Sequence, residues 1–294
     1  MAEIKIAGVT RAGAFSPNHI SNDAAIFNLV ADQLRKRGCE VNTYSEEQLI
    51  AGDVKEPIVM NMCREQRSVK ILQMMEDNGA LVINSGYGIE NCTRERMTRI
   101  LVGHGIPYPE SLIVNTDEGI RDQLAKARFT QCWIKRGDFH TMHKEDVTFA
   151  RHPQEAQELL QEYFMRGIKR AVINRHLTGD LIKFYGIRGT DFFFWFYPLY
   201  DGPQRHGGND VVRNDATETI PFDEEYLKHI CRKAADEIDV TVYGGDCIVS
   251  ANGEIRIIDF NDWPSFAPCR DEAAPIIARR IMSMIKEHNN PSHD

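Results

Sequence analysis

Asparagine followed by glycine at positions 252 and 253, set between two runs rich in β-branched residues, constrains this chain more than any other local feature. Asn-Gly is the strongest short-range signal for a two-residue hairpin, because both central residues of a type I′ turn need a positive φ. A two-residue loop there makes residues whose numbers sum to 505 face one another, so Ile248 is expected opposite Ile257 and Asp246 opposite Asp259. Opposed Cβ atoms lie about 4.5–5.5 Å apart and alternate residues share a face, which brings Asn261 beside Asp259. Like charges opposed across a ladder destabilise it unless a shared proton or a bound cation offsets them. Two carboxylates and an amide oxygen, with no His or Cys, are hard donors that favour Mg²⁺ or Mn²⁺. Solvated strand-end aspartates and a proton-sharing pair are the alternatives. The flanking Ile, Val, Cys and Phe argue for partial burial, and Asn261 suits a metal better than a proton pair.

Upstream, Ile4–Val9 reads as a strand, and Ser21 or Asn22 can cap a helix carrying Ile26, Leu29, Val30 and Leu34 until Gly38 stops it; Glu40–Tyr44 reads as the next strand. This β-α-β opening implies a right-handed parallel unit. Buried strands are expected at 57–62 and 80–84, around a helix near 69–77. From Asn91 the texture changes to a basic helix (Arg94, Arg96, Arg99), an Ile106-Pro107-Tyr108-Pro109 turn, helices near 117–127 and 153–166 and strands at 131–135 and 170–174. The last third holds a hairpin over 181–197, a helix over 223–238 with Leu227, Ile230, Ala234 and Ile238 on one face, the Asn-Gly hairpin and a terminal helix from about Ala273.

With 294 residues the chain suits two or three packed units rather than one core, and 42% apolar with 27% charged residues is an ordinary globular balance. A net charge of −8 argues against nucleic acid or an anionic membrane as the main partner. Seven scattered cysteines with no C-x-x-C pair fit a reduced, cytoplasmic protein without structural zinc. No stretch approaches the length of a membrane span. The usual nucleotide motifs are absent: there is no G-x-x-x-x-G-K-[ST], and Gly86-Tyr87-Gly88 lacks a third glycine. The aromatic run Phe192–Tyr197 reads as a buried strand, and Ser16-Pro17-Asn18-His19 as a turn at the sheet edge where ligands can bind.

Asp246, followed by Ile257-Ile258-Asp259-Phe260-Asn261-Asp262-Trp263-Pro264, resembles the C-terminal metal motif of the ATP-grasp superfamily. The resemblance runs over most of residues 80–285 and only loosely over the first 80 or so. It implies an α/β fold, α+β in its C-terminal part: an open parallel α/β domain over 1–90 and two α+β subdomains, 91–174 and 175–294, that clamp ATP-Mg²⁺. It also implies roles for single residues. Arg96 is similar to a phosphate-facing base ahead of the Ile-Pro turn, Lys135 to the lysine on the α- and β-phosphates, and Ile173-Asn174-Arg175-His176 to the adenine hinge. Lys183 and Arg213 are similar to the basic residues that face the phosphates or the second substrate, and take the catalytic role. Two departures stand out: Asn174-Arg175 replaces the usual Gln or Glu, and the loop after Lys135 holds one glycine together with His140 and His143. The implied activity is a ligase that activates a carboxylate for attack by an amine, on a small-molecule or peptide acceptor. A kinase resembling the inositol phosphate kinases and a non-catalytic nucleotide-binding module are the alternatives. A homodimer is the default expectation for the assembly.

Overall fold

The computed structural model describes residues 4–13, 20–138, 144–198 and 219–290. Three four-stranded sheets follow one another along the chain. The first is parallel, in the order β2-β1-β3-β4, from β1 (Ile4–Val9), β2 (Cys39–Tyr44), β3 (Ile58–Asn61) and β4 (Leu81–Ile83). The second is antiparallel, in the order β5-β8-β6-β7, from β5 (Ser111–Asn115), β6 (Cys132–Arg136), β7 (Val147–Ala150) and β8 (Arg170–Arg175). The third, also antiparallel, has the order β10-β9-β11-β12, from β9 (Asp180–Ile187), β10 (Phe193–Phe196), β11 (Val242–Val249) and β12 (Ile255–Asp262).

The helices are α1 (Ile20–Arg35), α2 (Glu46–Ala51), α3 (Gln66–Asp77), α4 (Gly86–Asn91), α5 (Arg94–Gly103), α6 (Arg121–Lys126), α7 (Pro153–Met165), α8 (Glu224–Ile238) and α9 (Arg270–Asn289). Helix α1 begins one residue before Ser21, so neither Ser21 nor Asn22 is its cap, and the Asn22 amide oxygen instead accepts from Arg270. Local sequence explains other ends: Ser45 and Gln48 form a capping box, Pro153 opens α7 behind His152, and the Asp223 carboxylate caps α8. No described helix is long and apolar enough to cross a membrane, and all seven cysteines are buried free thiols.

Two helices tie the layers together. Helix α9 lies at the end of the chain but packs on α1, so Ile277, Ile281 and Ile285 share a core with Ile6, Phe27 and Leu34 of the first layer. Helix α5 sits between the second and third sheets. Its Met97 and Leu101 join α8 and the Phe184–Phe260 face of the third sheet, while its first turn is pinned to the second sheet by Glu95 N–H to Gly137 O (3.0 Å) and by the Arg170–Glu95 ion pair. Asn84, just beyond β4, stitches the first sheet to the third: its side chain accepts from Thr241 and Val242 N–H and donates to Val242 O. Buried side-chain-to-backbone bonds of this kind fix orientation as well as contact.

The hairpin departs from the expected register in an instructive way. Three residues, Ala251 to Gly253, rather than two close the loop between Ser250 and Glu254, with Gly253 at φ +79. This is the turn-plus-bulge form of a three-residue loop, which Asn-Gly also serves. Ile248 therefore opposes Arg256, and the expected Ile248–Ile257 pair does not form. A second irregularity between Asp246 and Cys247, where Ile258 is the extra residue on β12, shifts the ladder back and places Asp246 opposite Asp259. The bulge also changes which side chains point inward. Ile255, Ile257 and Phe260 all reach the core although their spacing is two and then three, and Asp259 is turned to the other face.

Candidate active site

On the face of β9, β11 and β12 turned away from that core, Lys183, Asp246 and Asp259 lie side by side in register. Lys183 Nζ donates to Asp246 Oδ1 at 2.7 Å. Burial lowers the Lys183 pKa, but the adjacent Asp246 carboxylate outweighs it, and the net shift is upward. Arg94, at the first position of α5, grips Asp259 with both terminal nitrogens, at 2.7 and 3.4 Å. Burial would also pull Arg94 down; Asp259 and Tyr108 together carry it above its ordinary value.

Lys135 completes the cluster from the second sheet. Its side chain is almost wholly buried, and Nζ donates at 3.0 Å to the carbonyl of Ile258, the bulged residue. Burial first, then Arg94, push its pKa down to about 7 against the opposing pull of Asp259 and Asp246. For Asp259, burial raises the pKa but Arg94, Lys135 and a hydrogen bond from Asn261 win, holding it at about 2. Its side chain is about a quarter exposed, so the charged acid remains partly open to solvent. With its amide nitrogen spent on Asp259, Asn261 keeps its amide oxygen as an acceptor.

Two carboxylates and an amide oxygen on one patch match the donor set of Mg²⁺, which binds through one or two carboxylates and keeps other positions for water and phosphate oxygens. Among the described residues there is no group of three or more His, Cys, Asp or Glu side chains that could hold a metal ion, so the third oxygen donor of this patch is the Asn261 amide. The present neighbours of the acids, Arg94 and Lys183, supply positive charge where such an ion would.

A close backbone approach holds the patch together. A Cβ on Gly245 would stand 2.2 Å from the Asp259 carbonyl oxygen and 2.7 Å from the Phe184 ring. Gly245→Ala is therefore expected to lose about 1–3 kcal/mol of stability and to weaken Mg²⁺ binding at Asp259; urea unfolding and a Mn²⁺ titration check this, and wild-type values in both would contradict it.

The second sheet presents Trp133, Lys135, Val147 and Phe149 on one face, since Trp133 opposes Phe149 and Lys135 opposes Val147. Trp133 and Phe149 rings lie 5.1 Å apart, His176 meets Phe149 edge-on at 5.1 Å, and Trp133 Nε1–H donates to His176 Nδ1 at 3.2 Å. Burial lowers the His176 pKa, which favours the neutral ring that can accept this bond.

The residues expected from the sequence are thus distributed unevenly. Asp246, Asp259, Asn261, Lys135 and Lys183 converge. Arg96 does not: it is half exposed and pairs with Glu90 at 3.3 Å. Two residues along a helix turn the side chain by about 200°, and Arg94 is the one that points inward. The sequence held the signal, because Arg94, Met97, Thr98 and Leu101 form one i, i+3, i+4, i+7 stripe, all buried.

On β8, Asn174 shares the Trp133 face and donates to Ser111 Oγ at 2.7 Å, with His176 just beyond. Ile173 is buried on the opposite face against α6 and α7, and Arg175 turns that way too, over the Phe129 ring and onto Glu110. Only main-chain groups of Ile173 and Arg175 remain for any hinge contact. Arg213, His140, His143 and Ser16 to His19 lie outside the described residues. Trp133, Phe149 and Arg94 also lie beside this cluster, and the resemblance gave them no role.

No protein-family model matches the chain and no curated protein does. Solved structures do. The D-alanine–D-alanine ligase of Bacillus anthracis complexed with ATP aligns at TM-score 0.68 with 14% identity, over 98% of this chain and 97% of that one. D-alanyl-alanine synthetase A of Vibrio cholerae aligns at TM-score 0.70 with 11% identity, over 99% and 100%. The ATP-grasp ligase PsnB, complexed with a minimal precursor, Mg and ADP, aligns at TM-score 0.62 with 17% identity, over 95% and 96%. At these identities what is shared is the backbone architecture, and it is shared from end to end: the chain has the ATP-grasp fold of the carboxylate-amine ligases.

Proposed function

We propose that this protein is an ATP- and Mg²⁺-dependent ligase that activates a carboxylate as an acyl phosphate for attack by an amine. The observation that carries the reading is the meeting of Lys135, Lys183 and Arg94 with Asp246, Asp259 and Asn261 around one bulged hairpin. Phosphoryl transfer asks a protein mainly for positioning and charge neutralisation. Three cations from three different elements beside an oxygen-donor patch offer both. The Trp133–Phe149–His176 cluster shares its sheet face with Lys135 and gives the nucleotide base an aromatic wall. Magnesium held by Asp246, Asp259 and Asn261 would supply further neutralisation of phosphate charge.

In the first step an acceptor carboxylate oxygen bonds to the γ-phosphorus as the bond to ADP breaks, with Lys135, Lys183 and Arg94 offsetting the charge on the transferred group. In the second, an amine nitrogen attacks the acyl carbon, phosphate leaves, and the amine loses a proton. The structural neighbours whose names state ligation, one complexed with ATP and one with Mg and ADP, support a ligase that uses ATP. A reduced, cytoplasmic setting and an acceptor drawn from small molecules or peptides belong to this reading, as does a homodimer.

The test couples ADP release to phosphate analysis with pooled amino acids and dipeptides. Free phosphate appearing with ADP is expected, and phosphate found on the acceptor would replace the ligase with a kinase. Absence of ATP binding in the presence of Mg²⁺ by calorimetry would defeat both.

A further inference from the structure

In the parallel sheet, β1 lies between β2 and β3, so connections leave its carboxyl edge in opposite directions at the β1/β3 boundary. Open α/β sheets bind ligands at such switch points. Two arginines stand there, Arg11 after β1 and Arg64 after β3, and they are used very differently. Arg11 is almost fully buried and fully engaged. Its Nε donates to Met62 O (3.1 Å), one terminal nitrogen to Asp23 (2.7 Å), and the other to Trp263 O (3.2 Å) with Asp262 at 3.7 Å. Glu46, fully buried, accepts the N–H groups of Ala12, Arg64 and Glu65 and so fixes both loops.

Arg64 has no such complement. Its side chain is 15% exposed, its guanidinium has one contact among the described residues, to Asp262 at 3.5 Å, and its Nε is buried without a partner. A guanidinium carries five donors, and a buried donor left unmade is costly. Resting on the ligase reading above, we infer that Arg64 is the recognition residue for a second carboxylate on the acceptor, so that the substrate is an acidic amino acid or a peptide carrying one.

Charge favours the less charged of the two anions. Arg11 and Arg64 stand against Asp23, Asp262 and Glu46, the last met by backbone N–H groups, so a phosphate dianion is opposed more strongly than a single carboxylate. The planar fork also matches a carboxylate bidentately. Asp262, the partner of Arg64, is the third residue after Asp259, roughly 10 Å further along β12, a span comparable to a dipeptide.

The experiment is calorimetry on protein loaded with Mg²⁺ and a non-hydrolysable ATP analogue, titrated with alanyl-glutamate, alanyl-glutamine and glycerol phosphate. Alanyl-glutamate is expected to bind at least about tenfold more tightly than alanyl-glutamine, and glycerol phosphate no better than the amide. In Arg64→Gln that preference falls to near unity, and Arg64→Lys keeps part of it; melting curves establish that both variants are folded. An equal affinity for the two dipeptides in the wild type, a preference unchanged in Arg64→Gln, tighter phosphate binding, or no binding of either dipeptide overturns the inference. Failure of the wild type to take up the nucleotide analogue is a different result and counts against the ligase reading; glutarate binding to nucleotide-free wild type and Arg64→Gln, lost only in the variant, then upholds the subsite, and its absence overturns it.

Discussion

Lys135→Met is expected to melt a few degrees above the wild type at pH 7 while binding ATP at least about tenfold more weakly. The two effects have one origin. The fold holds the Lys135 amine almost out of water and beside Arg94, and its pKa falls to about 7 from the ordinary lysine value of 10.5. The unfolded chain keeps the charged amine that the folded chain resists, so the fold bears on the order of 4 kcal/mol at pH 7. Methionine fills similar volume without charge. It leaves the Ile258 carbonyl without its donor, a loss of about 1–3 kcal/mol, and a net gain of about 2 kcal/mol remains.

The sign of the pH dependence is fixed. A lysine with a depressed folded-state pKa destabilises most at and below pH 7, and the burden fades as pH rises toward the unfolded value near 10.5. The advantage of the methionine variant should therefore shrink between pH 7 and pH 9. ATP phosphates favour the charged amine, so wild-type binding takes up a proton and weakens over the same interval, whereas the variant shows no such slope. Scanning calorimetry and titrations in buffers of different ionisation enthalpy measure both. A variant that melts below the wild type at pH 7 and pH 9 alike would contradict the assignment.

Much of this site was legible in the sequence, and the parts that were not share a cause. Asp246 and Asp259 do face each other, but through a three-residue loop whose shift the Ile258 bulge cancels, rather than through the two-residue turn that Asn252-Gly253 implied. The bulge had a faint local trace in the broken alternation of Ile255, Ile257 and Phe260. Its carbonyl bonds to Lys135, 123 positions away, and no window of sequence contains that partner. Arg94 could have been chosen over Arg96 by following the buried stripe of α5. Strands β5 and β7, at the two edges of the second sheet, went unread because a short strand with one neighbour depends on pairing more than on propensity. The Arg11, Glu46 and Arg64 cluster had no signal at all, since it exists only where the ends of β1 and β3 and the start of α2 converge.

Asp259→Asn should be the most damaging conservative change in the molecule, with an expected loss of about 3–5 kcal/mol and no measurable Mg²⁺ affinity. The carboxylate is the counter-charge of Arg94, which is buried, and it also faces Lys135. An amide in its place leaves two cations confined together with Asp246 already engaged by Lys183. If that confinement is the cause, removing one cation must relieve it. The double variant Arg94→Met with Asp259→Asn is thus expected to recover most of the stability, with a coupling of about 2 kcal/mol or more in the cycle. Metal and nucleotide binding should stay lost, which separates the structural role of the pair from its chemical one. Acid provides an independent check. Arg94 and Lys135 hold the Asp259 pKa at about 2 against the ordinary aspartate value of 3.8, so its contribution is present above about pH 4 and disappears as pH falls through 2, a change of about 2 kcal/mol that Asp259→Asn cannot show. A double variant no more stable than the single one would mean that Arg94 and Asp259 are not each other's counter-charge, and the electrostatic account of the cluster would have to be rebuilt around Lys135 alone.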